Sequence, residues 1–122
     1  MANNASSWLY IIVADAQSLP VVPTRAGVPF KVGISRNPRA RLDQLQTGSP
    51  MRLSLYMGDL ASTFDGRERE LESEVHRRLS HLAVGGEWFF GSPDSAYEAA
   101  TNVNTEWGEA AFQEWVEAGR PA

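Results

Sequence analysis

The sequence predicts a small α+β domain, and three patterns in it support this prediction. Residues 8–14 form a run of aromatic and β-branched residues, which is typical of a buried central strand. Residues 30–34 alternate with the period of a strand, whereas residues 38–47 and 66–82 show the apolar periodicity of helices. Because no helix is predicted between the first two strands, we expect them to pair antiparallel. They would belong to a small, three-stranded, mainly antiparallel sheet flanked by helices.

The second and third strands are expected to present different faces to the core. Alternation in the second strand places the apolar residues Phe30, Val32 and Ile34 on one face. The opposite face then carries Lys31 and Gly33. A third strand is expected over residues 52–57, in which two leucines face inward, Leu53 and Leu55.

Capping signals predict where the helices begin and end. Asn37 followed by Pro38 predicts the start of the first helix, because asparagine caps a helix and proline suits its first position. Gly48 predicts its end. The segment 65–68 (Asp-Gly-Arg-Glu) resembles a capping box, so a second helix should begin there and run to about residue 82.

The C-terminal third is rich in aromatic residues and has more than one interpretation. Residues 88–90 fit either a short strand or a packed aromatic plug. Residues 92–94 (Ser-Pro-Asp) predict the start of a helix that should be interrupted at residues 102–104. We expect a last helix over residues 105–118 to pack on the domain's own sheet through an apolar stripe of Trp107, Ala111 and Trp115.

Length and composition fit one globular domain of 122 residues. The chain has no cysteine, which excludes disulfides and thiolate metal sites and suits a cytoplasmic, intracellular protein. No apolar run approaches about 18 residues, so no membrane association is expected. Residues 1–7 are polar and should form a flexible N-terminus.

The net charge of −4 is unevenly distributed. Residues 1–82 hold ten basic and eight acidic residues, whereas residues 83–122 hold seven acidic residues and one basic residue. All but one of the basic residues are arginines, whose planar fork matches the geometry of phosphate oxygens. Clustered arginines therefore favour a phosphate ligand, although surface solubility is the simpler explanation for any single one.

Helical periodicity places three chemically active side chains at the borders of buried stripes. Arg41 lies at such a border in the first helix, and Glu72 and His76 lie one turn apart in the second. Stripe borders on two helices can converge on a cleft. Each residue also has an ordinary explanation: Glu72 and His76 as a surface pair, Tyr10 as a core tyrosine, and Lys31 as a solvated strand residue.

The order of five short motifs distinguishes between these explanations. They are Trp8-Leu9-Tyr10, Lys31-Val32-Gly33-Ile34-Ser35, Asn37-Pro38-Arg39-Ala40-Arg41-Leu42 with Leu45-Gln46-Thr47-Gly48, Glu72-Ser73-Glu74-Val75-His76, and Gly86-Glu87-Trp88-Phe89. In this order the chain resembles the GIY-YIG endonuclease superfamily. The resemblance is to a phage and bacterial branch with a Lys-Val-Gly second motif and a closing Gly-Glu-Trp-Phe. It implies a nuclease domain over residues 8–90. Residues 91–122 are not covered by the resemblance, and we expect them to form a C-terminal helical extension packed on the same domain.

The resemblance implies a catalytic role for each matching residue. Tyr10 matches the tyrosine that faces the scissile phosphate as the general base, and Arg41 matches the helix arginine that contacts phosphate. Glu72 matches the single metal-binding glutamate. His76 matches a histidine one turn later, whose role stays open between positioning Tyr10, orienting the metal's waters and accepting a proton.

The second motif departs from the superfamily's usual pattern. Lys31 stands where that motif usually has a tyrosine, and Gly33 matches its glycine, where backbone and substrate approach closely. A free phenol loses its proton only near pH 10, so Tyr10 needs a nearby cation, and Lys31 could supply it. The loop between the two motifs is longer than usual, and the late asparagine of better-known members has no match.

The function implied by the resemblance is metal-dependent hydrolysis of phosphodiester bonds in DNA, or in RNA, with one Mg²⁺ or Mn²⁺ ion at Glu72. Nucleic-acid contacts are expected from Gly33, Ser35, Arg36, Arg39 and Arg67. The protein is expected to be a monomer or a weak homodimer, and a protein partner could supply sequence specificity.

Two other classes of protein fit the same sequence. The first is a binding module that keeps the fold, grips nucleic acid through its arginines and does not cleave it. The second is an interaction protein whose acidic C-terminal third docks a partner through Trp107, Phe112 and Trp115.

Overall fold

The computed structural model describes residues 7–15, 27–61 and 66–119. Most of the predicted flexible terminus and of the long loop between the first two strands lies outside these residues, as does Asp65 of the predicted capping box. The described chain contains five strands, β1 (Trp8–Ala14), β2 (Val28–Ser35), β3 (Leu53–Leu60), β4 (Ala83–Gly85) and β5 (Trp88–Gly91), and three helices, α1 (Pro38–Thr47), α2 (Glu68–Arg78) and α3 (Asp94–Glu117).

The strands form one antiparallel sheet in the order β3-β1-β2-β5-β4. The predicted α+β class, the interior position of β1 and its antiparallel pairing with β2 are confirmed. The prediction of three strands was wrong, because β4 and β5 form a hairpin that extends the sheet beyond β2. Residues 88–90 are therefore a strand, and Phe89 stacks on Phe30 of β2 with ring centroids 5.5 Å apart.

Strand β1 is buried on both faces and divides the core into two layers. Leu9 and Ile11 face the layer formed with α2 and α3, and Tyr10 and Ile12 face the layer formed with α1. The same alternation holds in β2, where the apolar face packs toward α2 and α3. The other face of β2 lies on the side of the sheet that carries Tyr10 and α1.

The first two helices begin and end close to the predicted residues. The Asn37 side chain accepts a hydrogen bond from the Ala40 amide at 3.0 Å, so the predicted cap of α1 is confirmed. Helix α2 ends at Arg78, and a 3₁₀ turn, Ser80–Leu82, continues to the predicted end. The predicted stripe of α2 is buried through Leu71, Val75 and Leu79.

The predicted break at residues 102–104 is wrong, because α3 runs through this segment without interruption. Val103 is fully buried in the core, and the Asn104 side chain donates to the Ala61 carbonyl at 2.9 Å. A tertiary partner therefore engages the amide that would otherwise compete with the helix backbone.

Only the first half of α3 packs fully on the domain. Its buried residues are Ala96, Ala99, Ala100 and Val103, and Trp107 packs against the same core layer. The second half leaves Phe112 and Trp115 exposed, so in the predicted stripe Trp107 packs on the core, Ala111 is half-buried and Trp115 is exposed. Within the described ranges, no helix combines the length and the apolar character needed to cross a bilayer.

Ion pairs connect the outer faces of α2 and α3. Arg78 Nη2 lies 2.6 Å from Glu106 Oε1, and Arg78 Nε lies 3.0 Å from Glu74 Oε2. Arg77 also binds Glu74, and hydrogen bonds from the two arginines lower the pKa of the Glu74 carboxyl to about 2. Exposed pairs of this kind contribute little to stability, but they orient α2 on α3.

Leu71→Ala should reduce the free energy of unfolding by about 2–5 kcal/mol, because Leu71 is fully buried and its removal leaves a cavity under the sheet. Urea denaturation measures this loss. Val84→Ala is the matched control on the exposed strand β4 and should cost less than about 0.5 kcal/mol. Equal costs for the two variants would contradict the described core.

Candidate active site

The register between β1 and β2 places Tyr10 directly opposite Gly33. A Cβ built on Gly33 would lie 2.6 Å from Tyr10 Cζ and closer still to the hydroxyl oxygen. The hydroxyl end of the tyrosine therefore fills the space above the glycine, and any other residue at position 33 would displace the ring. Tyr10 itself is 2% exposed.

Strand β2 extends past its neighbour β5, which pairs only with Val28–Lys31. We call the uncovered edge of residues 32–35 the β2 notch. The Val32 carbonyl in this notch is bonded by His76 Nε2 at 2.8 Å. Because a carbonyl only accepts hydrogen bonds, Nε2 must carry the hydrogen, so in the neutral ring Nδ1 is the atom left to accept. The His76 ring is also held edge-on against Phe89.

Lys31 lies on the Tyr10 face of the sheet, at the end of the segment paired with β5, and it is almost fully buried. Its Nζ lies 2.5 Å from Glu87 Oε1, which is carried on the turn between β4 and β5. The hydrogen bond from Lys31 lowers the pKa of the Glu87 carboxyl, and the charges of Lys31, His76 and Arg41 lower it further. In this structure the lysine ammonium is thus paired with a carboxylate that the sequence did not assign to the site.

Glu72 is half-buried on α2, one turn before His76. Burial raises the pKa of its carboxyl, and the nearby Glu87 carboxylate raises it further. His76, Arg69 and Lys31 act in the opposite direction but do not cancel the shift. Charged side chains of α2, β2 and the β4–β5 turn therefore lie within electrostatic reach of one another beside the β2 notch. The ionised form of the Glu72 carboxyl is destabilised there.

Arg41 lies on α1 and is exposed, rather than half-buried as its position at the stripe border suggested. Its Nη1 donates to Gln44 Oε1 at 3.3 Å, and its charge reaches Glu87. Arg36 and Arg39 are exposed on either side of the start of α1. Within the described part of the chain, no carboxylate lies at ion-pair distance from these three arginines.

The remaining predicted contact residues have other environments. Ser35 Oγ accepts from the Asn37 amide at 3.0 Å and so belongs to the turn that leads into α1. Arg67 binds Glu70 through two hydrogen bonds of 3.1 Å and lies 4.0 Å above the Trp107 ring. It lines a groove between α2 and α3. It does not belong to the cluster of charged side chains formed by Lys31, Glu72, His76 and Glu87.

The role of Glu87 in this cluster was not predicted from the sequence. The signal was present, since a single carboxylate follows two glycines and precedes an aromatic strand. What the sequence did not reveal is that β5 pairs with β2 so that Trp88 lies opposite Lys31, which brings residue 87 to the lysine. Arg69 was also missed, and it lies within electrostatic reach of Glu72.

The described residues contain no group of three or more His, Asp or Glu side chains arranged to hold a metal ion. An ion held by one glutamate needs no such group, because Mg²⁺ commonly takes one or two carboxylates and completes its shell with water and substrate oxygens. Glu72 suits such an ion, because its charge lies in a partly desolvated place beside a second carboxylate.

Glu72→Gln should raise the free energy of unfolding of the metal-free protein at pH 7 by roughly 0.5 kcal/mol. The gain is small because Glu72 is only half-buried and solvent screens its charge. A raised pKa means that the charged form destabilises the fold, so the penalty grows as the pH rises above 4.5, the ordinary value for Glu, and is complete above the folded pKa. Below pH 4.5 the variant and the wild type should converge. Urea unfolding at several pH values measures this difference.

Glu70→Gln is the control for this prediction, two residues away on the same helix. The hydrogen bond from Arg67 lowers the pKa of Glu70, so its charge stabilises the fold above pH 4.5 and that contribution is lost as the pH falls through the folded pKa. The control variant should therefore be less stable than the wild type at pH 7. A Glu72→Gln protein that is also less stable at pH 7 would contradict the description of the site.

Comparison with known proteins gives a family for this architecture. The model of the T5orf172 domain matches residues 7–116, which includes the sheet, the β2 notch and nearly all of α3. The match thus reaches well beyond residues 8–90, where the motif resemblance ended. Neither a curated protein nor a solved structure matches the chain significantly. Because the family model covers most of its length, the chain belongs to the T5orf172 domain family.

Proposed function

We propose that this protein is a metal-dependent endonuclease that hydrolyses phosphodiester bonds of DNA at the β2 notch. The observation that carries the proposal is the convergence of Lys31, Glu72 and His76 at the β2 notch, with the Tyr10 hydroxyl over Gly33 of the same strand. Phosphodiester hydrolysis needs a proton acceptor, cations for the phosphoryl oxygens and help for the departing oxygen. The notch has a residue of the right chemistry for each task.

Two relationships support the choice of this reaction. T5orf172 domains are linked to phage proteins and to proteins that resemble homing endonucleases. The motif order also resembles GIY-YIG nucleases, and the residues that match their catalytic positions lie on four elements, β1, β2, α1 and α2. We therefore propose the GIY-YIG type of nuclease as the finer assignment.

The proposed cation is Mg²⁺ or Mn²⁺, held by Glu72. When bound there, it supplies positive charge that stabilises the departing oxygen. The burial and the neighbouring carboxylate that raise the pKa of Glu72 are the features that a divalent cation would relieve.

In this proposal Tyr10 accepts the proton of the attacking water. Its hydroxyl end is packed over Gly33, so the side chain needs little reorganisation before reaction. Lys31 lies on the same face of the sheet, one strand away, where its ammonium can neutralise charge on the phosphoryl oxygens. His76 is anchored through Nε2, which leaves Nδ1 to hold a water or to take up a proton.

The arginines around the start of α1 are proposed to bind the phosphate oxygens and the neighbouring backbone. Arg41 is the member whose charge reaches the notch, and Arg36 and Arg39 extend the basic surface along the chain before it. The α1 N-terminus adds the partial positive charge of the helix dipole and has no acidic residue in its first turn. Arg67 and Arg77 are already paired with Glu70 and Glu74 and are less suited to this task.

A second function is favoured by the near-complete burial of Tyr10, which limits the access of water to a general base. In this alternative the same fold binds nucleic acid through the arginines of α1 without cleaving it. Such a protein would bind DNA with a steep salt dependence and show no turnover with any divalent metal.

The test is nicking of supercoiled plasmid by the purified protein with Mg²⁺, Mn²⁺ or EDTA. We expect cleavage with either metal and none with EDTA. Glu72→Gln should reduce the rate by about 10²-fold or more, Arg41→Ala by a similar factor, and Tyr10→Phe by about 10²- to 10⁴-fold.

Glu98→Gln is the matched control, because it makes the same chemical change at an exposed position of α3. It should cleave at the wild-type rate. Wild-type activity in Glu72→Gln would refute the assignment of the metal ligand, and tight binding without cleavage by the wild type under every metal condition would establish the binding module instead.

A further inference from the structure

The ion pair between Lys31 and Glu87 has an asymmetric environment. Lys31 is the single lysine of the chain, and its side chain is 8% exposed, whereas the side chain of Glu87 is 56% exposed. A buried ammonium is costly without a partner, so it requires an anion at this place. Glu87 provides that anion from the solvent side.

The Glu87 carboxylate lies beside the cationic side chains that the proposed substrate, a phosphodiester, would need for binding. Besides the direct bond from Lys31, the charges of His76 and Arg41 reach the carboxylate and favour its ionised form. A carboxylate and a phosphodiester both present paired oxygens to ammonium and guanidinium donors. The two anions therefore compete for the same donors.

Glu87 directly follows two glycines at the turn between β4 and β5. Gly85 and Gly86 have φ values of +143° and +57°, and a Cβ on either would meet no atom within 4 Å. The glycines are therefore needed for the conformation of the turn and not for lack of space. Among the residues that the structure describes, Lys31 is the one hydrogen-bonding partner of the Glu87 side chain.

We propose that Glu87 is an internal anion that occupies the phosphodiester position in the free protein and is displaced from Lys31 by an incoming phosphate. This inference rests on the proposed function, since it takes a phosphodiester as the ligand of the notch. Displacement transfers Lys31 from a carboxylate to a phosphate oxygen and returns Glu87 to solvent. Glu87 thereby sets a threshold that excludes weakly binding anions from the site.

The test uses the full-length protein in EDTA, where no cleavage is expected, and a 12-base-pair DNA duplex as the probe. Because the chain has one lysine, ¹⁵N NMR of lysine ammonium groups reports Lys31 alone. Saturating DNA should shift the Lys31 signal of the wild type. In Glu87→Gln the signal should already be shifted in the free protein.

The same variant should bind the duplex at least about fivefold more tightly than the wild type, because one negative charge is removed at close range from the phosphate. Glu98→Gln removes one charge from the exposed side of α3 and should change the dissociation constant by less than about twofold. An unmoved Lys31 signal at saturating DNA, or equal affinities of the two variants, would overturn the proposal.

The outcomes for this inference and for the proposed function are distinguishable. If the Lys31 signal responds to DNA but no metal supports cleavage, the hydrolase proposal fails and the displacement of Glu87 stands. If the protein cleaves DNA while the Lys31 signal stays unmoved, the displacement is refuted and the hydrolase proposal stands.

Discussion

The site depends on the pairing register of β1 and β2. In this register Tyr10 lies opposite Gly33, and Lys31 lies two residues before Gly33 on the same face, opposite Ile12. A slip of one residue would turn one strand over relative to the other, so that Tyr10 would no longer share a face with Gly33. The register is protected by the alternation in β2, because its apolar face packs in the core layer with α2 and α3 and a slip would turn Lys31 into that layer. The geometry of the candidate site is thus maintained by the hydrophobic core on either side of one strand.

A second constraint is the short length of β5, which ends its pairing with β2 at Lys31. The β2 backbone beyond that point is open to a side chain from α2, and His76 takes the Val32 carbonyl. The carboxylates of Glu72 and Glu87 then approach this opening from two different elements. Burial raises the pKa of the Glu72 carboxyl, the Glu87 carboxylate raises it further, and the cationic neighbours only partly balance these two effects. Such an arrangement is poor for stability and well suited to binding a cation and an anion together.

Much of the fold could be predicted from the sequence, because it follows from local signals. The cap at Asn37, the alternation in β2 and the stripe of α2 each depend on residues close in the chain. The hairpin of β4 and β5 was missed because three- and four-residue strands carry little periodicity, and the continuity of α3 was missed because Asn104 is satisfied by a distant carbonyl. In the site, the helix borders of Glu72 and His76 were predictable. The pairing of Lys31 with Glu87 was not, because the two residues are 56 positions apart in sequence and are brought together by the pairing of β2 with β5.

In the proposed function, one centre holds a divalent cation next to a phosphodiester. It is formed by Glu72, Lys31, His76 and Tyr10. The most direct measurement is Mn²⁺-induced broadening of backbone amide signals in ¹⁵N NMR spectra of the wild-type protein and of Glu72→Gln. If Glu72 holds the ion, broadening is expected to centre on Gly33, Glu72 and Glu87 in the wild type and to be lost in the variant. Broadening centred on the acidic residues of α3, or unchanged in Glu72→Gln, would contradict it.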